Sequence, residues 1–130
     1  MQGPLEVLVA DDSRTIRTQL EQILTEAGYE VTTVGNGREA IERVEKRIPF
    51  LMVLDIDMPE LDGYGVCQEL QTKGQPYSQI PIVFLTTHNL QALETLGGEV
   101  GAYLRKPTNR KELLETVELF LPKRADVATE

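Results

Sequence analysis

Apolar residues crowd into three short runs, LEVLVA (5–10), PFLMVLD (49–55) and IPIVFLT (80–86), each set between more polar stretches. None alternates cleanly between apolar and polar positions, and all are rich in Val, Ile, Leu or Phe. Such runs predict strands covered on both faces, as in a parallel sheet. Two weaker runs, YEVTTV (29–34) and AYLR (102–105), supply further strands. Between them the apolar spacing changes to the helical period. Residues 14–27 place Ile16, Leu20, Ile23, Leu24 and Ala27 on one stripe, with Gly28 as a stop. Ala40, Ile41 and Val44 mark a helix over 37–47, and Val66, Cys67 and Leu70 one over 62–72. Leu90, Leu93 and Leu96 mark another over 88–97, before Gly97-Gly98. The last, over 109–121, carries Leu113, Leu114, Val117, Phe120 and Leu121, with Asn109 as cap and Glu112 at the third helical position.

The order is five alternations of strand and helix. It predicts an α/β fold, a doubly wound five-stranded parallel sheet flanked by five helices. One domain over 1–121 suits a chain of 130 residues, and the polar stretch 122–130 reads as a C-terminal tail or the start of a linker. Hydrophobic residues make up 41% and charged residues 26%, a globular balance. The net charge of −8 disfavours binding to nucleic acid or an anionic membrane and points to a protein partner. No apolar run approaches the roughly 20 residues of a membrane span. The N-terminus MQGPLEVLVADD lacks the pattern of a secretory signal, so a cytoplasmic location is expected. Cys67, the single cysteine, cannot form an internal disulfide and is expected to be a small filler on a helix.

Ligands of an open parallel sheet sit outside the carboxyl ends of its strands. Here the first strand ends in Asp11-Asp12, the third in Asp55-Ile56-Asp57, the fourth in Thr86-Thr87, and the fifth runs into Lys106-Pro107. Carboxylates gathered at one edge repel one another, and a bound cation and the lysine are the candidates to offset that repulsion. All-oxygen ligation by carboxylates, a carbonyl and water suits Mg²⁺. With Lys106 added, the site can accept a phosphoryl group, a carboxylate serving as nucleophile. Taken singly, each residue has a plainer role. Asp12-Ser13 could cap the first helix, Asp57-Met58-Pro59 could form a turn, Thr86 could be an ordinary strand residue, and Lys106 could be solvated. Their coincidence at strand ends favours a site.

The pieces VLVADDSRTIR (7–17), VLDIDMPELDG (53–63), IPIVFLTT (80–87) and AYLRKP (102–107), in this order, resemble the receiver domain of two-component response regulators. This is the CheY-like family, with a flavodoxin-like fold, and the resemblance covers about residues 5–121. It implies that Asp55 is the phospho-acceptor, Asp12 a direct Mg²⁺ ligand, Asp11 a water-mediated one, and Asp57 a ligand through its backbone carbonyl. It implies that Thr86 is the switch hydroxyl, Tyr103 the aromatic that rotates inward behind it, and Lys106 the partner of the acceptor or phosphoryl oxygen. The Lys106–Pro107 bond is cis in the family. The implied donor is a histidine kinase or histidine phosphotransfer protein, and the chain acts as an enzyme only in its own phosphorylation and dephosphorylation. The output is a target protein or a second copy, bound through the face of residues 88–121.

Three departures stand out. Thr87 occupies a position that is usually small and crowds the route to the phosphoryl group. Asp57 and His88 occupy positions that tune hydrolysis in the family. The stretch between Thr86 and Tyr103 is slightly short, which bears on the helix over 88–97. Two rival functions differ from the phospho-acceptor. One is a receiver-like interaction module that takes no phosphoryl group. The other is a phosphatase using the D-x-D spacing of Asp55 and Asp57, although in that class the pair sits on the first strand.

Overall fold

A computed structural model describes residues 4–87 and 101–121. The strands are β1 (Glu6–Ala10), β2 (Glu30–Val34), β3 (Leu51–Asp55), β4 (Ile82–Thr86) and β5 (Gly101–Arg105). The helices are α1 (Arg14–Glu26), α2 (Gly37–Lys46), α3 (Gly63–Lys73) and α4 (Arg110–Glu118), with a short 3₁₀ turn at Tyr77–Gln79. The helix expected over 88–97, together with His88, lies outside the described residues, as does the tail 122–130. The helix expected to run to residue 121 ends at Glu118. There Leu119 and Phe120 donate backbone hydrogen bonds to Thr116 and Val117, three residues back, so the last turn tightens instead of continuing.

The strands form one sheet in the order β2-β1-β3-β4-β5, and every neighbouring pair is parallel. Every residue of β1, β3 and β4 is buried, as continuous apolar runs require, whereas β2 lies at an edge and is only partly covered. Alternate strand residues serve opposite faces. Leu8, Met52, Leu54 and Phe84 pack with Ile41 and Val44 of α2 and Val66 and Leu70 of α3. Val7, Val9, Val53 and Val83 pack with Leu20 and Leu24 of α1 and Leu113 and Val117 of α4. Cys67 is half-buried against the first of these clusters, and burial raises its thiol pKa, as suits a filler.

Side chains settle the helix starts. Ser13, Asn36, Asp62 and Asn109 each accept a hydrogen bond from the backbone N–H three residues on. The cap of α1 is thus Ser13, which leaves Asp12 free for another role. The chain passes from β1 outward to β2 and returns to β3 on the other side of β1. This reversal opens a crevice at the carboxyl ends of β1 and β3.

Candidate functional site

Ala10 of β1 is in register with Leu54 of β3, so the next residue of each strand, Asp11 and Asp55, arrives at the same point of the sheet edge. Both are buried, at 0% and 3% exposure. The backbone N–H of Asp11 donates to Val34 O at 3.2 Å, and its Oδ1 accepts from the Ser13 N–H at 2.8 Å. Its Oδ2 is buried and faces Lys106 Nζ at 3.0 Å as an ion pair. The same ammonium lies 3.2 Å from Asp55 Oδ1, which also accepts from the Asp57 N–H at 3.2 Å. Asp12 is exposed, and carboxylate oxygens of Asp11, Asp12 and Asp55 lie within 4.8 Å of one another.

The loop after β3 folds back tightly. Gly63 N–H donates to Ile56 O at 2.9 Å, and a Cβ at Gly63 would stand 2.7 Å from Asp55 O. Only glycine fits that approach. Thr86, 1% exposed, ends β4, and its carbonyl accepts from the Lys106 N–H at 2.7 Å, joining the ends of β4 and β5. The Lys106–Pro107 bond is cis. Tyr103 is half-buried and stacks on Phe84, with centroids 5.4 Å apart, while Tyr64 of α3 tilts against the same ring. Thr87 is exposed and lines, with Lys106, Pro107 and α1 residues, an apolar cavity of about 650 Å³.

Electrostatics follow from this crowding. Burial, then the Asp11 charge, raise the Asp55 pKa from 3.8 to about 6, although Lys106 opposes both. Burial pulls the Lys106 ammonium down, but the Asp11 and Asp55 carboxylates outweigh it and leave its pKa above the usual lysine value. Lys106 is therefore charged at neutral pH. Three carboxylates against one ammonium leave an excess of two negative charges. Two buried carboxylates and an exposed third, offering only oxygen donors and carrying that excess, fit a hard divalent cation.

Asp11, Asp12, Asp55 and Lys106 are brought together as the sequence suggested. Thr86 stands at the adjoining strand end, and Tyr103 lies further back, against Phe84. The Asp57 side chain is exposed beside them. One contact had little signal in the sequence: Arg17 Nη1 donates to the Asp11 backbone O at 2.7 Å. Its place one helical turn after Ser13 was the only hint. Among the described residues, no helix is long and apolar enough to cross a membrane.

The family model described as "Response regulator receiver domain" matches residues 7–118. The chain is 45% identical over 126 residues to "Probable transcriptional regulator ycf27" of Porphyra purpurea, covering 95% of this chain and 50% of the relative. It thus spans about half the length of the curated relatives it matches. Chemotaxis protein CheY4 of Vibrio cholerae superposes with a TM-score of 0.84 at 34% identity, covering 92% of this chain and 100% of that one. The receiver domain of sensor histidine kinase PA1611 of Pseudomonas aeruginosa superposes with a TM-score of 0.81 at 29% identity, covering 91% and 98%. That structure has a magnesium ion coordinated in its active-site cleft. With this sheet order and these matches along nearly its whole described length, the chain belongs to the response regulator receiver domains of two-component signalling.

Proposed function

We propose that the chain is a phospho-acceptor, taking a phosphoryl group onto Asp55 from a phosphohistidine of a histidine kinase or histidine phosphotransfer protein. The observation that carries this reading is the Lys106 ammonium between Asp11 and Asp55, at 3.0 and 3.2 Å. Mg²⁺ would be held by Asp12 and Asp55 directly, by Asp11 through water and by the Asp57 carbonyl. When bound, it neutralises phosphoryl oxygens. The magnesium ion in the active-site cleft of the Pseudomonas aeruginosa receiver domain supports a magnesium site at this cluster.

In the transfer, a carboxylate oxygen of Asp55 attacks phosphorus and forms the new P–O bond. The P–N bond to the donor imidazole breaks, and the leaving nitrogen keeps the electron pair and takes a proton. Lys106 offsets charge on the phosphoryl oxygens. Hydrolysis reverses the arrangement: water attacks phosphorus and the Asp55 carboxylate leaves. Both steps act on the chain itself, so it has no separate turnover substrate. The acyl phosphate then biases a two-state equilibrium in which the Thr86 hydroxyl closes on the phosphoryl group and Tyr103 moves inward. The face of residues 88–121 passes that change to a target protein or a second copy. A cytoplasmic location matches such donors.

Incubation with labelled acetyl phosphate tests the acceptor. Wild type takes up label with Mg²⁺ and loses that ability in EDTA, and Asp55→Asn takes up none above background. Uptake by Asp55→Asn at the wild-type rate overturns the assignment. Phosphoryl lifetimes of wild type and Asp57→Ala then show whether the exposed Asp57 carboxylate tunes hydrolysis; equal lifetimes remove it from the mechanism.

A further inference from the structure

We infer that Arg17 is a positioning residue for the acidic pair, setting the Asp11–Asp12 peptide so that both carboxylates face a divalent cation. This rests on the phospho-acceptor reading above. The Arg17 guanidinium, half-buried on α1, donates to the Asp11 backbone O at 2.7 Å, a short charge-assisted bond. The other groups of Asp11 are already committed. Its N–H goes to Val34 O, its Oδ1 takes the Ser13 N–H, and its Oδ2 faces Lys106. The carbonyl is what remains to orient the next peptide.

Asp12 depends on that orientation. Its side chain is exposed and makes no hydrogen bond or ion pair among the described residues, so only the backbone places it. If the Asp11–Asp12 peptide rotates, the Asp12 carboxylate swings away from Asp11 and Asp55. Position 35 makes room for the device: a Cβ on Gly35 would stand 3.3 Å from Arg17 Nη1. The β2–α2 turn therefore approaches the guanidinium closely, and Gly35→Ala disturbs it without removing its charge. Lysine could supply the charge but not the planar fork.

The sign of one measurement separates positioning from plain electrostatics. A cation near the cluster repels Mg²⁺, so loss of the guanidinium charge alone strengthens Mg²⁺ binding. Loss of positioning weakens it, by about tenfold or more for an outer-shell support. Calorimetric Mg²⁺ titration of the intact chain is the readout, alongside thermal melts in EDTA and label uptake from acetyl phosphate at saturating Mg²⁺. Arg17→Ala is expected to weaken Mg²⁺ about tenfold, with uptake at saturating Mg²⁺ much less affected. Arg17→Lys recovers part of the affinity, Gly35→Ala weakens it severalfold, and Arg14→Ala, which removes an exposed cation from the same helix, does not weaken it. Equal or tighter Mg²⁺ binding by folded Arg17→Ala overturns the inference. Should that variant not fold, the same sign in Arg17→Lys and Gly35→Ala decides. A wild-type chain that binds no Mg²⁺ and takes no label defeats the parent reading instead.

Discussion

Burial and the Asp11 charge lift the Asp55 pKa to about 6, so this side chain links the site to the stability of the metal-free fold. A carboxylate with a raised native pKa holds its proton more tightly folded than unfolded. The stability due to that proton is present at low pH and is lost as pH rises from about 4 to 6. At pH 7, ionised Asp55 therefore destabilises the metal-free chain by about 1–3 kcal/mol. Urea unfolding in EDTA should find Asp55→Asn more stable than wild type by about that amount at pH 7, with the difference closing towards pH 4. A strained residue sits in the following loop, where Glu60 has φ 71°. The left-handed region costs a non-glycine residue roughly 1–2 kcal/mol, and glycine's extra chain entropy offsets part of the relief. Glu60→Gly is expected to raise unfolding free energy by about 0.5–1 kcal/mol, read from the urea midpoint.

The two ends of β1 show how differently elements can handle a buried acid. At the start, Glu6 is 5% exposed and tied to its neighbours, with Oε2 accepting from Thr32 Oγ1 at 2.8 Å and Arg43 Nη2 at 2.7 Å. Its other oxygen lies 3.3 Å from Arg47 Nε. These contacts join β1, β2 and α2, and they give Glu6 a structural role. At the other end, two buried acids, Asp11 and Asp55, share the one Lys106 ammonium, whereas Glu6 alone faces two guanidinium groups. Compensated acids build; under-compensated acids bind. Arg43→Ala leaves Glu6 with the Thr32 hydroxyl and a single, more exposed cation, Arg47, and should destabilise the fold by about 2 kcal/mol. Replacing both Glu6 and Arg43 by leucine should cost less than Arg43→Ala alone, because no buried charge is stranded. Thermal or urea unfolding of the two variants checks the order.

At the scale of the molecule, ion binding and folding are one equilibrium. A cation that binds only the native cluster adds about 2.7 kcal/mol at a free concentration one hundred times its Kd. Melting in Mg²⁺ should therefore occur several degrees above melting in EDTA, with a shift that grows with Mg²⁺ concentration. Asp12→Ala should abolish most of that shift while leaving the EDTA melting temperature nearly unchanged, since its side chain supports nothing else among the described residues. An Mg²⁺-independent melting temperature for wild type would show that the acidic edge does not hold the ion.

Strands and helices were legible because burial repeats locally: apolar-rich runs without regular polar alternation for β1, β3 and β4, helical spacing for α1 through α4. The acids at the strand ends were legible for the same reason, since a charge closing an apolar run is conspicuous. Helix ends were less so; α4 stops at Glu118 because its last bonds shorten to three residues, a choice made by the backbone. Only the tertiary structure decided that Ala10 pairs with Leu54, that Lys106 reaches both Asp11 and Asp55, and that Arg17 grips the Asp11 carbonyl. Those partners come from segments far apart in the chain or from a side-chain direction, and neither leaves a period in the sequence. Local burial sets what each segment becomes; strand register, settled by packing of the whole, sets which charges meet.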